Sequence, residues 1–69
     1  MKHSNELVPA LLQLFKRQIA PLKVANPTEQ QSRDAVALVG AYVSRLQILE
    51  LSLSQGDALE MLKQAYQSI

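Results

Sequence analysis

Cysteine is absent and histidine occurs once, so neither a disulfide framework nor a structural zinc site is expected to hold this chain together. Glycine (two) and proline (three) are scarce, which favours helices over turn-rich sheets. Charge of one sign is also lacking. Seven Lys and Arg against six Asp and Glu leave a formal net charge of +1, too little to steer nucleic acid or anionic lipid with a broad field. The most apolar stretch is interrupted by Asp34, Arg45 and Glu50 and falls short of the roughly 18 uncharged residues that a membrane span needs. Met1 to Glu6 is not followed by the charge-free apolar run of a signal peptide. Together with the missing cysteine, this makes a cytoplasmic setting the expectation.

Apolar residues make up 48% of 69 residues, which argues for a folded chain rather than a disordered one. One small domain, 1–69, is expected, below the size at which a lone core comfortably offsets chain entropy. With disulfides and metal set aside, oligomerisation is the remaining means of support.

The chain is organised around Asp34 to Leu53. Ala35, Val39, Tyr42, Leu46, Leu49 and Leu53 recur at spacings of four and three, the pattern of one continuous apolar stripe on a helix. Ala37, Ala41, Ser44, Ile48 and Leu51 repeat that spacing two positions on, about 200° around the helix at roughly 100° per residue. A helix with apolar seams on opposite faces must be covered from both sides. Gly40 lies among the small residues of its first half. A glycine inside a helix costs about 1 kcal/mol against alanine, and close approach of another helix is one compensation.

The flanking segments read as shorter helices. Met1 to Asn5 is polar and is expected to fray; His3 with Glu6 three residues on reads as an exposed terminal histidine rather than half a metal site. Helix 1 is expected from about Glu6 to Ile19, with Pro9 held to its first turn. Its residues Leu7, Val8, Leu11, Leu12, Leu14, Phe15 and Ile19 spread over about 160°, more than one neighbour covers. Lys16 and Arg17 fall where cations offset the helix dipole. Ala20-Pro21 is expected to stop the helix, because proline disfavours the helical conformation in the residue before it. Leu22 and Val24 are expected to tuck onto the core.

Asn26-Pro27-Thr28-Glu29 predicts the start of helix 2, with Asn26 as cap, Pro27 as first helical residue and Glu29 reaching back to the cap. Glu29 and Arg33 form an i,i+4 pair in the favourable order. Ser54 with Asp57 predicts the cap of helix 3, with Gly56 easing the turn. Ala58, Leu59, Leu62, Ala65, Tyr66 and Ile69 define its apolar face.

The expected fold is therefore all-α: an antiparallel three-helix bundle with helices over about 6–19, 27–53 and 55–68. Helices 1 and 3 would each cover half of one seam of helix 2. A two-fold dimer would cover the other seam, with Ala37, Gly40, Ala41, Ile48, Leu51, Leu11 and Phe15 at the partner interface.

Catalysis is not expected. The carboxylates Glu6, Glu29, Asp34, Glu50, Asp57 and Glu60 are scattered at helix starts or on solvated faces, and there is no cysteine nucleophile or Gly-rich phosphate loop. No cofactor, metal site or small-molecule substrate is implied. The preferred reading is a protein–protein interaction module (adaptor, co-chaperone or regulator) that buries apolar helix faces in a homodimer or against a protein partner. The alternative is a small DNA-binding regulator using 27–68 as a helix-turn-helix, with Lys16, Arg17, Lys23 and Arg33 as a basic patch. Asp57 and Glu60 at the head of its recognition helix, with Lys63 as the only cation there, count against it.

Overall fold

The computed structural model describes residues 6–69. Three helices account for most of them: α1 (Leu7–Ile19), α2 (Glu29–Leu49) and α3 (Gln55–Gln67), with a short 3-10 turn over Ala20–Leu22. No strand occurs among the described residues. Each helix packs against both others.

Helix α1 begins with Glu6 in helical conformation and no side-chain cap, and Pro9 sits in the first turn, where no N–H is needed. Lys16 and Arg17 occupy the last turn as expected. Proline does not end the helical path abruptly. Ala20 keeps φ −53 and ψ −45 despite preceding Pro21, and the chain tightens into the 3-10 turn before leaving helical space at Lys23. Leu22 packs against the core, whereas Val24 is left 45% exposed, contrary to expectation.

Helix α2 starts two residues later than the sequence suggests. Thr28 is the cap: its hydroxyl accepts from the Gln31 N–H at 3.1 Å, and the Gln31 side-chain oxygen accepts from the Thr28 N–H at 2.8 Å. This reciprocal capping box satisfies both donors at once. It holds Thr28 in extended conformation, which leaves Asn26 and Pro27 outside the helix. The Glu29 to Arg33 pair forms at 3.1 Å on an exposed surface.

The far end of α2 is also shorter than predicted. Glu50 turns to φ −128 and ψ 96, and the chain reverses through Leu51 and Ser52 rather than continuing to Leu53. Two bonds hold the reversal: the Leu53 N–H donates to the Glu50 carbonyl at 3.0 Å, and the Gln47 amide donates to the Leu53 carbonyl at 3.3 Å. Leu53 thereby packs onto the core while Leu51 is left 89% exposed. The Ser54 hydroxyl then accepts from the Asp57 N–H at 3.1 Å and caps α3 as expected. Gly56 lies inside the first turn of α3 with no positive φ, so the reversal does not depend on it.

The core consists of Phe15, Ile19, Tyr42, Val43, Leu46, Ala58, Leu62 and Ala65, ringed by half-buried side chains that include Leu38, Val39, Leu53 and Met61. Phe15 and Tyr42 meet edge to face with ring centres 5.3 Å apart, the geometry favoured by aromatic quadrupoles. The Tyr42 hydroxyl donates to the Gln18 side-chain oxygen at 3.0 Å, so the phenol keeps a polar partner at the core edge.

A candidate interaction surface

The two seams of α2 separate as their 200° offset requires. Tyr42 and Leu46 of the first seam are buried, and Ala35, Val39, Leu49 and Leu53 are half-buried. The second seam points away from the core. Ala37, Gly40 and Ser44 are exposed, Ala41 is half-buried, and Ile48 and Leu51 stand 72% and 89% exposed. A Cβ built at Gly40 would meet nothing within 4 Å, so no helix of this chain makes the close approach that a glycine would permit.

The other two residues expected at a partner interface behave differently. Leu11 is half-buried against this chain's own core, and Phe15 is 1% exposed. Phe15 has no surface left for a partner, because the rings of Phe15 and Tyr42 fill the space between α1 and α2. The large exposed apolar side chains of α1 are Leu7 and Leu14, at 61% and 47%.

A second feature is an apolar groove of about 450 Å³. Its floor is the core itself, at Phe15, Ile19 and Leu62. Val36 and Val39 of α2 form one wall, Leu59 and Tyr66 of α3 the other, and Lys63 lies at the rim. Val36 is 72% exposed, Leu59 43% and Tyr66 37%. Because Gly40 lies one turn beyond Val36 on α2, the groove wall runs into the outward seam. The seams read from sequence did not include Val36, and Leu59 and Tyr66 were assigned to the core face of α3. An arc of about 120° at 100° per residue reads as one ordinary core face, so the pattern held no signal that divides it; in the structure Ala58, Met61, Leu62 and Ala65 take the covered part.

Polar features lie around these surfaces rather than under them. No polar or charged side chain is buried among the described residues, and no three of their His, Cys, Asp or Glu side chains gather as metal ligands. His3 lies outside the described residues. No described helix is long and apolar enough to cross a membrane. Of the four cations considered for a nucleic-acid patch, Arg33 pairs with Glu29. Lys23 donates to the Tyr66 and Ile69 carbonyls at 3.0 and 3.3 Å, with its ammonium 4.7 Å from the centre of the Tyr66 ring. Lys16 lines a separate shallow cleft between α1 and α3.

No protein-family model, curated protein or solved structure matches this chain.

Proposed function

We propose that this chain is a small helical protein-interaction module (an adaptor, co-chaperone or regulator) that acts in the cytoplasm without catalysis by burying apolar helix faces in a complex. The observation that carries this reading is the exposure of Val36 and Ile48 on α2 and of Leu51 in the turn just beyond it, at 72%, 72% and 89%. Contiguous exposed apolar surface of this kind marks sites of association.

The assembly we propose is an antiparallel three-helix bundle completed by a two-fold homodimer. Short connections, Ala20 to Thr28 and Glu50 to Ser54, favour sequential helices that fold back on one another. Ala37, Gly40, Ala41, Ile48 and Leu51 form the shared surface, which self-complementarity at a two-fold axis allows. Small residues at 37, 40 and 41 let two α2 helices approach closely, and Ile48 and Leu51 supply apolar area beyond them.

The double variant Ile48→Glu/Leu51→Glu tests this. Both side chains are largely exposed in the single chain, so the helices survive while the dimer dissociates, as seen by light scattering alongside circular dichroism. Native pull-down shows whether a second protein takes the same face at fixed stoichiometry. An unchanged mass for the variant contradicts this interface.

DNA binding through 27–68 is the weaker reading. Asp57 lies in the first turn of α3, where phosphates would otherwise be attracted. Tight duplex binding at 150 mM salt, falling steeply as salt rises, would reverse the ranking.

A further inference from the structure

We propose that the groove between α2 and α3 receives an amphipathic helix of a partner protein whose apolar face is flanked by carboxylates; this rests on the reading of the chain as an interaction module and names the chemistry of its partner. The shape of the groove selects a helix. Leu59 and Tyr66 are seven residues apart on α3, Val36 and Val39 three apart on α2, so the walls present two helical ridges between which a third helix can set its side chains. Helix-in-groove recognition uses anchors at i, i+3 or i+4 and i+7, and the exposed lining side chains Val36, Leu59 and Tyr66 give such anchors an apolar contact. A small-molecule site would need several convergent polar groups to fix orientation. Here the lining supplies only Lys63 and the Tyr66 hydroxyl.

Charge selects the flanks of that helix. Among the described residues no carboxylate lines the groove, and Lys63 is the only charged residue that does. Lys63 has no ion-pair partner among the described residues. A second ammonium, that of Lys23, stands over the Tyr66 ring at the same wall. A partner helix carrying glutamates beside its leucines meets both cations, whereas a basic one meets like charge.

The test uses the full chain and two labelled synthetic helical peptides of about four turns. Both carry leucines at i, i+3 and i+7; one has glutamates on the flanks and the other lysines. Fluorescence anisotropy is expected to show the glutamate peptide binding with a Kd below about 1 mM and about ten-fold tighter than the lysine peptide at low salt. Lys63→Glu, at an exposed position and with Lys23 still in place, removes most of that preference, and Leu59→Ser weakens both peptides with helicity unchanged. Equal binding of the two peptides, untouched by Lys63→Glu, overturns the proposal. So does occupation of the groove by a second copy, seen when Leu59→Ser lowers the sedimentation mass and neither peptide binds; the module reading then stands. Binding of decanoate at Tyr66 without peptide binding also overturns it. A monomer that binds neither peptide overturns this proposal and the homodimer, and the module reading falls with them when native pull-down also recovers no second protein at fixed stoichiometry.

Discussion

The ammonium of Lys23 sits 4.7 Å from the centre of the Tyr66 ring while it donates to the Tyr66 carbonyl at 3.0 Å. One side chain from the connector after α1 thus holds both the ring and the backbone of the last turn of α3. It also donates to the Ile69 carbonyl at 3.3 Å, just beyond the helix, while its bond to Tyr66 supplies a donor to one of the last-turn carbonyls that a helix end leaves without intrahelical partners.

Lys23→Met removes this tie and keeps the apolar stem. An exposed cation–π contact contributes about 0.5–1 kcal/mol, and for a domain of this size the melting temperature is expected to fall by roughly 2–8 °C. Hydrogen exchange should quicken at the amides of Ser68 and Ile69 and remain unchanged at Leu46. Exchange at Ser68 and Ile69 that is the same in the variant as in the unaltered chain would show that the tie is idle.

The two candidate caps of α2 are separable by mutation. Thr28→Ala is expected to cost about 1 kcal/mol, since it opens the capping box with Gln31, while Asn26→Ala should cost no more than a few tenths. Urea unfolding of the two variants checks the order. The reverse order would place the helix start at Pro27.

Phe15→Ala is expected to cost about 3–5 kcal/mol, because a fully buried aromatic leaves a cavity. Tyr42→Phe keeps the edge-to-face contact but loses the bond to Gln18, a change of about 1 kcal/mol. Denaturant midpoints for the pair measure how far packing outweighs the hydrogen bond.

Periodicity made the three helices, the Ser54 cap and the inward seam of α2 legible in the sequence. It missed Leu38 and Val43, which lie on neither heptad stripe yet pack in the core, because two neighbouring helices cover a wider arc of α2 than a single seam. The cap of α2 was misplaced because Asn26-Pro27 and Thr28-x-x-Gln31 are both valid start signals, and local pattern alone does not weigh a closed capping box against a proline. Leu51 was expected on a continuous helix; the reversal at Glu50, which places it on an exposed corner, depends on Leu53 returning to the core. Phe15 belonged to an arc on α1 too broad to divide by sequence. The groove was invisible for a related reason, since it exists only where Val36 of α2 and Leu59 and Tyr66 of α3 stand apart above the sealed core.

Gly40 distinguishes a free surface from an interface. In the isolated chain Gly40→Ala is expected to stabilise α2 by about 1 kcal/mol, since the added Cβ meets no neighbour. In a dimer built on close approach at this position, the same methyl group weakens association. Thermal melts at low and high protein concentration should therefore move in opposite directions. A gain of stability at both would leave Gly40 outside any interface.

Sedimentation equilibrium of the unaltered chain across the micromolar range tests the central claim most directly. If the outward face of α2 from Ala37 to Ile48, with Leu51 in the turn beyond it, is an interface between copies, the measured mass is twice that of the chain and falls toward the single mass on dilution. A mass that stays at the single-chain value throughout that range would contradict the homodimer.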